Sequence, residues 1–210
     1  MSIDLSKIED LYSENFEKFG IDSKSVGWPN PESQQLRFNK LLSVVEDKSK
    51  SFSLNELGCG YGELFKYCST EKYNVNLFNG YDISEKMLTA AKNYLNDKKV
   101  VLYKESRITT KADYTTTSGI FNVKFNEQKN NWETYIKDTL KNMYENSNKG
   151  ISFNLLTKYV DFEVPDLYYA DPLYFFDFCK KEMSRFVSLI HDYNLYEWTI
   201  VVKKNPHGLG

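Results

Sequence analysis

The chain has 210 residues, a length suited to one domain, with 41% hydrophobic and 27% charged residues, so a core is affordable and disorder is disfavoured. Lys and Arg total 27 against 29 Asp and Glu, a formal charge of −2, whereas a protein that coats a nucleic-acid backbone needs clustered positive charge. No apolar run approaches the roughly 18 residues of a membrane helix, and the acidic, amphipathic N-terminus is unlike a secretory signal or transit peptide.

Ile3 to Phe19 carries apolar residues at helical spacing, and Gly20 ends the run. Gly27-Trp28-Pro29-Asn30-Pro31 is loop chemistry, because proline fixes φ and removes a donor. Gln34 to Val45 reads as a second helix. The spacing then predicts a strand over Phe52–Leu57, a glycine turn, and a short helix over Glu63–Cys68. A strand over Val75–Tyr81 follows, and Ser84 caps a helix that runs to Leu95. Val100–Tyr103 and Tyr114–Phe121 read as strands, the latter through its β-branched Thr115-Thr116-Thr117. Trp132–Asn146 reads as a helix, Ile151–Leu156 as a strand, and Leu173–Met183 as a helix entered through Asp171-Pro172. Phe186–His191 and Tyr196–Lys203 form a closing hairpin. The βαβα alternation implies a mostly parallel sheet with helices on both faces. Three parts are expected: an N-terminal helical cover over residues 1–50, a core over 51–204, and a flexible tail over 205–210.

Three cysteines, Cys59, Cys68 and Cys179, form no CxxC pair, and the histidines are two, His191 and His207. A disulfide framework, a zinc site and a multi-histidine metal centre are therefore not expected, and a reducing cytoplasm fits best. His207 sits in the expected tail and is assigned no role.

The most informative segment is Leu54-Asn55-Glu56-Leu57-Gly58-Cys59-Gly60-Tyr61-Gly62. A dinucleotide-binding turn would read GxGxxG; here it reads GxGxG, with Glu56 two residues ahead. An acid at that place repels a pyrophosphate and suits a ligand with a cationic centre or an amino group. Asp82 follows Gly62 by 20 residues and ends the next strand, where it can accept hydrogen bonds from both ribose hydroxyls of a nucleoside. Cys59 reads as a small residue packed under the turn.

These residues resemble the class I S-adenosyl-L-methionine (SAM)-dependent methyltransferases, whose E-x-G-x-G-x-G motif matches Glu56, Gly58, Gly60 and Gly62, with the second-strand acid at Asp82. The resemblance covers about Phe52 to Lys203. It implies an α/β, Rossmann-like fold: a seven-stranded, mostly parallel sheet with an antiparallel last strand and helices on both faces. It also implies SAM as cofactor and S-adenosyl-L-homocysteine (SAH) as product. The methionine part would lie against the glycine turn at Gly58, Cys59 and Gly60 with Glu56 ahead of it, the ribose at Asp82 and the adenine near Glu105, with Ile83 and Ser118 as further cofactor contacts. No Gly-Asp pair precedes Glu105 as the family pattern would have it.

Ligands of open α/β sheets bind beyond the carboxyl ends of the strands. After strand four the chain reads Ser118-Gly119-Ile120-Phe121-Asn122 rather than the (D/N)PP(Y/F) of enzymes that methylate DNA bases, which disfavours a base-amine substrate. His191, followed by Asp192, is the candidate general base for an acceptor hydroxyl. Tyr168, Tyr169 and Asp171 in the long connection after strand five, Tyr193 in the hairpin, and Trp28 and Arg37 in the cover are candidate substrate contacts. Gly27–Phe38, Ser118–Asn122, Tyr168–Pro172 and His191-Asp192 resemble a bacterial subgroup met among surface-polysaccharide genes. The resemblance thus implies methyl transfer to an oxygen of a small molecule: a sugar, a sugar-nucleotide, or a phosphate- or phosphoramidate-type group. A non-catalytic SAM-binding subunit or sensor and an aminopropyl transferase are the alternatives on the same fold. Neither nucleic acid nor membrane insertion is expected, and the oligomeric state is left open.

Overall fold

A strand buried on both faces needs apolar residues of both parities, and β1 (Phe52–Leu57) has them: Leu54 belongs to one core cluster and Leu57 to the other. The computed structural model describes residues 3–205. Around β1 lie β2 (Val75–Asp82), β3 (Val100–Lys104), β4 (Ala112–Thr117), β5 (Ser147–Thr157), the two-residue β6 (Tyr169–Ala170), β7 (Phe186–Ile190) and β8 (Glu197–Lys203). The main path runs β3-β2-β1-β4-β5-β8-β7, with β6 pairing beside β5. The first five strands are mutually parallel, and β8 is antiparallel to both β5 and β7. The sheet is therefore the seven-stranded one expected, with β6 as an unpredicted eighth piece.

The helices are α1 (Ser6–Phe19), α2 (Pro31–Leu41), α3 (Glu63–Thr70), α4 (Glu85–Leu95), α5 (Lys129–Glu145) and α6 (Pro172–Glu182). One core cluster joins Trp132 and Ile136 of α5 and Phe175 of α6 to Phe153 and Trp198 of the sheet. The other joins Phe38 of α2, Phe65 of α3 and Leu88 of α4 to Leu54, Phe78 and Val201. Alternation along β8 serves both: Trp198, Ile200 and Val202 face the first cluster and Val201 the second.

Several boundaries differ from those expected, α5 starting at Lys129 and β5 at Ser147 among them, and two of the shifts bear on the site. α2 begins at Pro31, three residues before the predicted start, because Asn30 accepts the Ser33 amide at 2.8 Å and Pro31 suits the first turn. β4 stops at Thr117, short of the predicted Phe121, because Gly119 adopts φ +76° and turns the chain. Ser118–Asn122 is thus a turn at the carboxyl end of the sheet. The N-terminal segment ahead of β1 folds as α1, a 3-10 turn over Ser23–Val26, and α2. Of the predicted tail, all but Asn205 lies outside the described residues, His207 included. Among the described residues no helix is long and apolar enough to cross a membrane.

Candidate functional site

The glycine turn and the acid after β2 are joined before any ligand is considered. Gly58 and Cys59 both donate their amides to the Tyr81 carbonyl, at 2.7 and 2.9 Å. Asp82 Oδ2 accepts the Gly60 amide at 2.8 Å, and its Oδ1 accepts the Ser84 amide at 2.9 Å. Ser84 in turn caps α4 through Met87. One lone pair on each Asp82 oxygen stays free for hydroxyl donors. A Cβ at Gly58 would lie 2.2 Å from Ile120 Cγ2, so this glycine is required by the turn after β4 that packs on it.

A cleft open at its mouth lies over these carboxyl ends, with about 950 Å³ of space when the adjoining open solvent is included. Glu56, Gly58, Cys59, Gly60, Asp82 and Ile83 line it, as do Glu105 and Ser118. All eight expected cofactor residues are thus brought together. Glu105 comes close through its own backbone, donating its amide to the Asp82 carbonyl at 3.2 Å. The charged side chains on the cleft wall are Glu9, Glu56, Glu63, Asp82 and Glu105, every one an acid.

Two buried polar atoms in this cleft have no hydrogen-bond partner within the protein: Glu56 Oε2 and Ser118 Oγ. Such atoms are costly unless a ligand completes them. Burial, and then the charges of Asp82 and Glu63, push the Glu56 carboxyl well above its ordinary value. Burial raises Asp82 as well, against the lowering effect of its backbone amide donors. A cationic group delivered to Glu56 would relieve that cost. Cys59 is 5% exposed, and burial and then the charges of Asp82 and Glu56 push its thiol well up, so it is a packed thiol and not a nucleophile. The donor set fits SAM: an unpartnered carboxylate for an ammonium or sulfonium, a diol-facing acid, and apolar walls.

The substrate-side expectations divide. Trp28 lines the cleft. Arg37 does not: its guanidinium is 5% exposed and bound to Glu197, with Nε at 3.0 and 2.9 Å from the two carboxylate oxygens and Nη2 at 2.7 Å from Oε1. It is therefore not free for a substrate phosphate or a methionine carboxylate. Tyr168 is a core residue whose hydroxyl donates to Glu133 at 2.9 Å. Tyr169 sits in β6 and its hydroxyl accepts the Val164 amide at 3.2 Å. Asp171 caps α6 through the Leu173 amide at 2.9 Å and pairs with Lys158 at 2.8 Å. The Tyr193 hydroxyl is bonded to Thr199 at 2.9 Å. None of these four lines the cleft.

His191 also lies off the cleft, exposed, with its ring 6.0 Å from that of Tyr159. Asp192 does not orient it, because the carboxylate pairs with Lys40 at 3.1 Å. A base for the acceptor is thereby withdrawn from this position: β7 ends at the sheet edge, separated from β4 by β5 and β8.

Sequence reasoning missed Leu5 just ahead of α1, Ile8, Glu9 and Tyr12 of α1, and Gln34 of α2, all on the cleft wall. The apolar stripe of α1 signalled a helix with a buried face but not what that face covers. Burial pushes the Tyr12 phenol up to about 12, so it faces the cleft as a neutral hydroxyl.

No family profile matches the chain. A protein of Mycobacterium tuberculosis (strain ATCC 25618 / H37Rv), Rv1506c, provisionally named a methyltransferase, is 42% identical over 163 residues, which span 76% of this chain and 98% of that one. Magnesium protoporphyrin IX methyltransferase (ChlM) from Synechocystis PCC 6803, solved with bound SAM, superposes with a TM-score of 0.66 at 13% identity, over 96% of this chain and 98% of that one. The DhpI–SAH complex superposes with a TM-score of 0.62 at 11% identity, over 95% of this chain and 94% of that one. With that close a relative along nearly its whole length, on this fold and with this motif, the chain belongs to the class I SAM-dependent methyltransferases.

Proposed function

We propose that the cleft binds SAM and that the chain transfers its methyl group to an oxygen of a small acceptor, uncharged where it enters the cleft. The carrying observation is the unpartnered, buried Glu56 carboxyl beside Asp82, at the carboxyl ends of β1 and β2. SAM bound there supplies a methyl group activated by its sulfonium. Glu56 takes the ammonium of the amino-acid end, Asp82 takes the ribose diol, and Ile83 and Glu105 flank the base. The apolar walls from α1 and Trp28 exclude water, so that alignment of donor and acceptor supplies most of the rate.

Of the acceptors the family resemblance implies, the acid-lined cleft favours a sugar hydroxyl over a phosphate- or phosphoramidate-type oxygen, since no cationic side chain lines it to hold an anion. The hydroxyl oxygen bonds the methyl carbon as the carbon–sulfur bond of SAM breaks, SAH is left, and the hydroxyl proton passes to a carboxylate of the wall that the cofactor does not engage. A role in surface-polysaccharide biosynthesis is the setting that resemblance suggests. Calorimetry with SAH tests the cofactor site, and SAH release in the presence of unphosphorylated and phosphorylated sugars tests the acceptor. Wild-type protein that fails to bind SAH, or turnover confined to phosphorylated sugars, would overturn the respective part.

A further inference from the structure

Five residues close a ring beside the cleft. The Trp28 ring stacks on the Arg37 guanidinium, whose carbon is 3.7 Å from the ring centroid. Arg37 binds both oxygens of Glu197, and its Nη1 also donates to the Ser33 carbonyl at 2.8 Å. Asn154 Nδ2 donates to Glu197 Oε2 at 2.9 Å, and Asn154 Oδ1 accepts the Gly119 amide at 2.9 Å. Gly119 returns to the start: a Cβ there would meet Trp28 Cη2 and Cζ2 at 2.6 Å, and φ is +76°. Asn154 is wholly buried and Glu197 is 1% exposed.

A buried ion pair costs desolvation that its own attraction barely offsets, and apolar replacements are often as stable. What this pair does provide is registry. It fastens the cover segment to β5 and β8, and through Asn154 it holds the Gly119 peptide. The residue before that peptide is Ser118, whose buried hydroxyl has no partner and which lines the cleft next to the glycine turn. Leu57 and Thr117 are paired residues of β1 and β4, so Ser118 stands beside Gly58, on the side of the cleft away from Asp82.

We propose that Asn154, Glu197 and Arg37 are positioning residues that, with Trp28, fix the Ser118–Gly119 peptide so that the Ser118 hydroxyl meets the amino-acid end of the cofactor. The assignment rests on the cofactor reading of the cleft and goes beyond it, because it names buried residues outside the cleft wall that set its geometry.

The experiment compares two ligands by calorimetry: SAH, and 5′-methylthioadenosine, which keeps the nucleoside but lacks the amino-acid end. The variants are Asn154→Ala and the double replacement Arg37→Met with Glu197→Leu, which removes both charges together. Expected are a melting temperature close to wild type for the double variant, an affinity for SAH lower by about tenfold in both variants, and unchanged affinity for 5′-methylthioadenosine. SAH affinity equal to wild type in Asn154→Ala would show the ring to be structural only, and equal losses for both ligands would show a general collapse of the cleft; either overturns the assignment. If wild type binds neither compound, the cofactor reading itself fails, an outcome distinct from both. Should the double variant not fold, Asn154→Ala decides alone.

Discussion

The carboxylate of Asp82 accepts the backbone amide of Gly60 at 2.8 Å, so the acid that ends β2 braces the turn that follows β1. The same side chain organises the protein's own turn and offers its remaining lone pairs to a ligand. Replacing it by alanine removes a charged acceptor from both. Asp82→Ala is expected to weaken SAH binding by about tenfold to a hundredfold, or ~1.5–3 kcal/mol. Calorimetry checks this, and unchanged affinity would remove Asp82 from the site.

The Glu56 carboxyl is held well above its ordinary value chiefly by burial, so over the pH range between its unfolded and folded values the folded chain keeps a proton that the unfolded chain releases. Stability therefore falls as pH rises from the unfolded value of about 4.3 through the raised folded one. Asp82, raised likewise, adds a slope of the same sign. Glu56→Gln has no proton to lose. Without ligand it should melt above wild type at pH 8 with a shallower pH slope, yet bind SAH more weakly. A series of melting curves between pH 5 and 8 measures the first effect, and a steeper slope in the variant would contradict the assignment.

His191 is exposed and off the cleft. His191→Asn should keep kcat close to wild type once an acceptor is in hand. A loss of the 10²–10⁴-fold typical of a missing general base would return the residue to the mechanism.

Arg37→Ala leaves the Glu197 carboxylate buried without its cation. The cost should be about 3–5 kcal/mol, seen as a melting temperature lower by roughly 10 °C. Lys40→Ala at the partly exposed pair with Asp192 serves as the contrast and should change stability by less than about 1 kcal/mol.

The two parts of the cover are attached differently. α1 holds to α4 by Ser13 to Ser84 at 2.9 Å and by a surface pair of Glu17 with Lys86. α2 is fastened by the buried Arg37 pair. Trypsin should cut after Lys18 more slowly when SAH is present, and should cut after Arg37 slowly in either state. Equal cleavage after Lys18 with and without SAH would mean that α1 does not respond to the ligand.

Period-two and helical spacing placed the seven main strands and the helices from sequence alone, because those patterns report burial, which is local to each element. The cofactor side was legible for the same reason. Glu56, Gly58, Gly60 and Asp82 lie at or just past the carboxyl ends of adjacent parallel strands, and parallel register carries their spacing directly into space. The acceptor side was not. Arg37 and Glu197 are 160 residues apart and meet only because β8 inserts antiparallel beside β5 under α2. That contact turned an expected substrate ligand into a buried tie. It likewise took the fold to show that Tyr168 belongs to the core and that His191 comes just after an edge strand. A tyrosine or histidine carries the same chemistry in a core, on a rim or in a cleft. Only the packing of distant segments decides which surface it meets, as it decided that α1, read from sequence as a helix with one apolar face, closes the cleft with Ile8 and Tyr12.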